Sequence, residues 1–147
     1  MTNQQTILQV EDDENDVLFL RHAFNQAGII NPLRVARDGQ EAIDYLSGKG
    51  QFANRVQNHF PGLILLDLKL PRKSGLEVLR WLRQSSNLPS LPVIVFSSSL
   101  QRQDIEDSYR SGASSFVAKP SCVEKRLALT QLIKSYWIEF NELTPES

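Results

Sequence analysis

Hydrophobic and polar positions alternate along this chain in two rhythms. Short, nearly continuous apolar runs recur as TILQV (Thr6–Val10), PLRVA (Pro32–Ala36), LILL (Leu63–Leu66), VIVF (Val93–Phe96) and SFVA (Ser115–Ala118). Runs of this length bounded by polar or turn residues predict strands. The stretches between them have helical spacing. Val17, Leu20, Phe24 and Ala27 share one face of a helix over Val17–Gly28, with Gly28 as its stop. A second helix is predicted over Asp38–Gly48. A third, over Ser74–Gln84, carries Leu76, Leu79 and Leu82, with Val78 beside them and Trp81 at the edge. Gln103–Arg110 reads as a polar helix closed by Gly112. Ser121-Cys122-Val123-Glu124 has the form of a capping box opening a last helix that runs to about Phe140. Five strand–helix units predict an α/β fold: a doubly wound, five-stranded parallel sheet with helices on both faces. LILL and VIVF, apolar throughout, suit central parallel strands. The polar stretch Lys49–Gly62 breaks the rhythm and reads as a surface insertion.

Composition narrows the class. With 147 residues the chain suits one domain, read here as 1–147 with an extended C-terminal helix and a short tail. A net charge of -1 gives no pull toward nucleic acid or an acidic membrane. A lone cysteine, Cys122, excludes an internal disulfide and a thiol-rich zinc site. No apolar run approaches the ~20 residues of a membrane span, and the N-terminus lacks a signal pattern. A cytoplasmic protein is expected.

The candidate chemistry lies at the strand ends, where ligands bind in open α/β sheets. The first strand runs into Glu11, Asp12 and Asp13, the third into Asp67, the fourth into Ser97, Ser98 and Ser99, and the fifth into Lys119-Pro120. A carboxylate ending the buried run LILL costs several kcal/mol unless it meets solvent or a cation. Carboxylates gathered at one rim repel each other, and a hard divalent cation such as Mg²⁺ removes that repulsion. Asp67 is then a feasible nucleophile toward phosphorus, with Mg²⁺, an ammonium and a hydroxyl available for the equatorial oxygens. Asp13, Glu14 and Asp16 are read as acids favoured in a first helical turn. His22 and His59 have no partner at ligand spacing. Gln9 places an amide in a central strand, and the pattern offers no account of it.

Taken together, VED with Glu11 and Asp12, LLDLKLP with Asp67, PVIVFSS with Ser97, and FVAKP with Lys119 resemble the CheY-like receiver domains of two-component response regulators. The likeness spans Ile7 to about Ile138. It implies the strand order 2-1-3-4-5. It implies Mg²⁺ held by Glu11, Asp12, Asp67 and the main-chain carbonyl of Lys69, and phosphoryl transfer from a sensor histidine kinase to Asp67. Ser97 and Lys119 would contact the phosphoryl group, and Phe116 would occupy the aromatic switch position. The hydroxyl is Ser where the family more often has Thr, and Lys69 stands where attacking water would enter.

Such a protein is not an enzyme beyond catalysing its own phosphorylation and dephosphorylation. The chain closes soon after the fifth helix, so an output through partners, dimerisation or phosphorelay is expected rather than direct DNA binding. Single-domain regulators of phytochrome-type kinases are a nearer likeness, through the long segment before LILLDL and the ending SYWIEF. A homodimer is expected through Tyr136, Trp137, Ile138 and Phe140, with the fourth and fifth helices alongside. Three other readings fit the residues less well. A flavodoxin-like flavin or nucleotide binder would need phosphate-cradling amides where EDDEND supplies anions. An aspartyl phosphohydrolase would need an acid where Lys69 stands. A degenerate receiver acting only as a docking module would not need the complete set of acceptor-site residues.

Overall fold

The structure is a computed structural model that describes residues 1–145 apart from Asn3 and Ser86. The ends of the 1–147 domain reading and of the LTPES tail, Glu146 and Ser147, lie outside the described residues. The chain order is β1 (Ile7–Val10), α1 (Glu14–Gln26), β2 (Leu33–Ala36), α2 (Gly39–Ser47), β3 (Leu63–Asp67), α3 (Gly75–Gln84), β4 (Val93–Ser97), α4 (Arg102–Arg110), β5 (Ser115–Ala118) and α5 (Val123–Leu132). A wider, π-helical stretch, Ile133–Phe140, continues α5. The five strands are parallel in the order β2-β1-β3-β4-β5. That is the topology the resemblance implies.

Strand alternation divides the core in two. Leu8, Val10, Ile64, Leu66 and Val93 face α2 and α3, where they meet Ala42, Tyr45, Leu46, Val78, Leu79 and Leu82. Ile7, Leu63, Leu65 and Ile94 face the other way and meet Phe24, Ala27, Ile133 and Ile138. Gln9 shares this second face by its parity, and it is 5% exposed.

Several boundaries differ from the sequence expectation. Helix α1 begins at Glu14 rather than Val17, because the Asp13 carboxylate accepts from the amides of Asn15 and Asp16 and so caps an additional turn. The capping box before α5 does not form. The helix starts at Val123 with Cys122 at its cap and no side-chain cap bond, so Glu124 stands one position too early to reach back. The Lys49–Gly62 connection is docked rather than merely tolerated. Arg55 donates to the carbonyls of Leu46 (2.8 Å) and Asn58 (2.9 Å), and the Tyr45 hydroxyl donates to the His59 carbonyl at 2.9 Å. Phe52 and Phe60 pack on the α2/α3 core.

The last helix presents only part of the face expected. The α-helical period would turn Val123, Leu127, Ala128, Leu132 and Ile133 toward the core; Ile133 is buried and Leu127 packs against the core, but Val123, Ala128 and Leu132 are exposed, and the other buried positions are Thr130 and Ile138. Ile138 and the half-buried Trp137 belong to the α1/α5 core, so of the four residues expected to pair two copies only Tyr136 (55%) and Phe140 (76%) face solvent. The widened turns bear only on Tyr136, Trp137, Ile138 and Phe140, since Val123, Ala128 and Leu132 precede them. Past Ile133 the α-helical period no longer applies, and the Asn141 amide bonds the Tyr136 carbonyl five residues back.

Candidate functional site

Glu11, Asp12 and Asp67 come together where β1 and β3 end. One carboxylate oxygen from each lies within 4.8 Å of the others. Asp67 occupies the last position of β3 and Glu11 follows β1 directly, its amide still bonded to the Ala36 carbonyl at 2.9 Å. Both backbones are therefore fixed by the sheet. The loop after β3 turns back tightly into α3. A Cβ on Gly75 would lie 2.2 Å from the Asp67 carbonyl oxygen, so only glycine permits that approach. The Lys69 amide reaches back to Asp67 Oδ1 at 3.3 Å.

Lys119, one residue past β5, supplies the cation that the end of LILL requires. Its Nζ lies 2.6 Å from Glu11 Oε1, 2.9 Å from Asp16 Oδ2 and 3.0 Å from Asp67 Oδ2. Its backbone amide donates to the Ser97 carbonyl at 2.9 Å, which ties the ends of β4 and β5 together. Burial opposes the charge on Lys119. Its hydrogen bonds to Glu11, Asp16 and Asp67 outweigh burial and hold its pKa above the ordinary lysine value. Glu11 moves the other way. Burial, with Asp67 adding its charge, pushes its pKa up to about 7 against the pull of Lys119. The rim thus holds more negative charge than one ammonium neutralises. Hard carboxylate oxygens this close fit a divalent cation.

Ser97 is buried, and its Oγ accepts from the Ser99 amide at 3.0 Å. Ser99 Oγ in turn donates to Asp104 Oδ2 in α4 at 2.6 Å. Phe116 is half-buried on the edge strand β5, and its amide donates to the Tyr109 hydroxyl of α4 at 3.1 Å. The structure thus brings Glu11, Asp12, Asp67 and Lys119 into one cluster. Ser97 is joined to it through the Lys119 backbone, and Phe116 stands apart, toward α4.

Sequence reasoning missed Asp16, Asp104 and Tyr109. Asp16 has the place of a first-turn acid, yet it stands four residues before Leu20 and eight before Phe24. Both of those pack into the α1/α5 core, and that shared face was the available signal. Asp104 and Tyr109 gave no comparable signal, because both act through bonds to loop or backbone atoms.

The family described as the response regulator receiver domain matches residues 7–133. Response regulator Rcp1 of Synechocystis sp. is 33% identical over 135 residues, covering 92% of this chain and 90% of Rcp1. The Mn²⁺-bound form of Rcp1 superposes with a TM-score of 0.85 at 32% identity, over 96% of this chain and 99% of that one. Response regulator RPA3017, in red light signalling of R. palustris, superposes with a TM-score of 0.90 at 32% identity, over 97% and 99%. The phosphorylated cyanobacterial phytochrome response regulator RcpA gives 0.88 at 31%, again over 97% and 99%.

Proposed function

We propose, on the premise that this chain belongs to the response regulator receiver family, that it serves a phytochrome-type histidine kinase with Mg²⁺ as its metal. Receivers of this family take a phosphoryl group from a histidine kinase in two-component signalling, and Asp67 is the acceptor position here. The observation that carries the reading is the convergence of Lys119 Nζ on Asp67 Oδ2, 3.0 Å away, beside the Glu11–Asp12–Asp67 cluster. The light-sensing part rests on the similarity to RPA3017 and RcpA.

The chemistry follows from the groups in place. A carboxylate oxygen of Asp67 forms the new bond to phosphorus as the phosphorus–nitrogen bond of the kinase phosphohistidine breaks, and the electron pair returns to the imidazole. Lys119 pairs with one oxygen of the transferring group, and the Ser97 hydroxyl donates to another. Glu11, Asp12, Asp67 and the Lys69 carbonyl would hold Mg²⁺, which lowers the repulsion between the incoming phosphoryl group and the acidic rim. In this reading the protein catalyses only its own phosphorylation and dephosphorylation, in the cytoplasm. No described helix is long and apolar enough to cross a membrane.

Acetyl phosphate with Mg²⁺ should add one acid-labile phosphoryl group to the wild type and none to Asp67→Asn, as read by intact mass. Uptake by the variant at equal stoichiometry overturns the acceptor assignment. Transfer from a panel of histidine kinases, fastest from a phytochrome-type one, tests the partner.

The same reading includes a homodimer. Leu132, Tyr136 and Phe140 form an exposed apolar row along the last helix. A two-fold pairing would cover both rows at once. Light scattering should give a dimer for the wild type and a monomer for Tyr136→Glu with Phe140→Glu.

A further inference from the structure

The Lys119 ammonium has three donors, and three carboxylates take them. Two of these have other work at the acceptor site. Glu11 and Asp67 lie in the carboxylate cluster that suits a metal, and Asp67 also takes the phosphoryl group. Asp16 is outside that cluster, on α1 rather than at a strand end, with its Oδ2 2.9 Å from Nζ. Packing does not fix the ammonium by itself. A cavity of about 70 Å³ lies beside the lysine, between Leu20 and Ala23 of α1, Leu65 of the sheet and Leu129 of α5. A flexible four-carbon stem next to open space keeps its rotamers unless its head is held.

A second contact from α1 acts on the backbone. Phe19 stands three residues after Asp16, on the same side of the helix. The Arg126 guanidinium lies over its ring, 4.3 Å from the centroid, and Arg126 Nε donates to the Pro120 carbonyl at 3.2 Å. Pro120 follows Lys119 directly. One face of α1 therefore reaches the lysine twice, at its head through Asp16 and at the next carbonyl through Arg126.

We propose that Asp16 is a positioning residue for phosphoryl transfer: it keeps the Lys119 ammonium in place while Asp67 bonds phosphorus, and the Phe19–Arg126 pair fixes the backbone from which that lysine extends. The inference rests on the reading of Asp67 as the acceptor. When the phosphoryl group arrives, Lys119 exchanges Asp67 Oδ2 for a phosphoryl oxygen. That exchange is one for one, so the bond to Asp16 stays and the ammonium keeps its aim. Charge alone makes Asp16 unfavourable beside a phosphoryl group, because like charges repel. Positioning acts in the opposite direction, so the sign of the effect separates the two.

Beryllofluoride, a phosphoryl mimic, is titrated into the full chain with Mg²⁺ and its affinity read from amide chemical shifts. Asp16→Ala should weaken binding about two- to fivefold, the range for an ion pair whose carboxylate is 34% exposed. Alanine is favourable in a helix and Asp13 still caps α1, so the fold is not at stake. Asp16→Asn keeps an acceptor oxygen at the same place and should recover most of the affinity. Glu14→Gln removes an equal charge from the same turn, away from Lys119, and should not weaken binding. Arg126→Leu keeps an apolar contact with Phe19, loses the bond to Pro120 and should weaken binding. Equal or tighter binding by Asp16→Ala overturns the inference. So does a matching loss in Glu14→Gln, an absence of recovery in Asp16→Asn, or full affinity in Arg126→Leu. Failure of the wild type to bind beryllofluoride, or binding by Asp67→Asn, strikes instead at the acceptor reading and takes this inference with it.

Discussion

The two faces of the sheet are made by the same strands and built to different standards. On the α2/α3 side Leu8, Val10, Ile64 and Leu66 are at most 1% exposed and meet an unbroken apolar layer. On the α1/α5 side the equivalent alternate positions include Gln9, a cavity lies beneath the helices, and Asp16 of α1 and Lys119 after β5 carry charge to its edge. The first face is close-packed and resists change. The second keeps space and polar groups next to the Asp67 carboxylate.

The largest effect should come from the close-packed face. Leu66→Ala is expected to lose about 2–5 kcal/mol of stability in a urea titration, since the site cannot collapse around the lost methyl groups. A loss under 1 kcal/mol would show that the two faces do not differ as described. Next is Lys119→Ala, which leaves Glu11, Asp16 and Asp67 without their shared cation. In metal-free buffer it should cost about 1–3 kcal/mol, less than a fully buried pair because the lysine side chain is 20% exposed. Added Mg²⁺ should recover much of that loss. Equal unfolding midpoints with and without Mg²⁺ would break the link between the lysine and the acidic cluster.

The smallest effect is in pH. Glu11 is held above its ordinary value of 4.5, at about 7, so the folded protein binds more protons than the unfolded chain between those values. Stability supplied by that proton is complete below about 4.5 and is lost as pH rises through about 7. Metal-free protein should therefore lose on the order of 1 kcal/mol between pH 5 and 8. Lys119, shifted upward from 10.5, titrates outside this window. Saturating Mg²⁺ should flatten the slope. A slope of the opposite sign would show that the ion pair with Lys119 outweighs the burial of Glu11.

The sheet was legible in the sequence because parallel central strands are apolar on both faces, and LILL and VIVF have that pattern between turn-bounded helical stretches. Asp67 and Lys119 were legible for the converse reason, as charges ending apolar runs. What escaped depended on a side chain reaching another element. Asp13 adds a turn to α1 by capping, Arg55 docks a connection that composition alone marks as surface, and Asp16 reaches across to Lys119. In the last helix the ending SYWIEF departs from the α-helical period, which the backbone abandons at Ile133, whereas Val123, Ala128 and Leu132 are exposed within regular α-helix and the sequence carries no signal for it.

The Ser97–Ser99–Asp104 chain also has a consequence in time. Ser97 Oγ accepts from the Ser99 amide, so its own proton is not committed to that bond. Rotation of that hydroxyl about its Cβ–Oγ bond is a picosecond-to-nanosecond event that leaves the Ser99 bond intact. Moving α4 is a separate and slower matter, because it requires the 2.6 Å bond between Ser99 and Asp104 to part, and segment motions of that kind take microseconds or longer. Rotation of the Ser97 hydroxyl and displacement of α4 from the Ser99 loop are therefore two kinetic phases. A partner that reads only α4 would respond to the second.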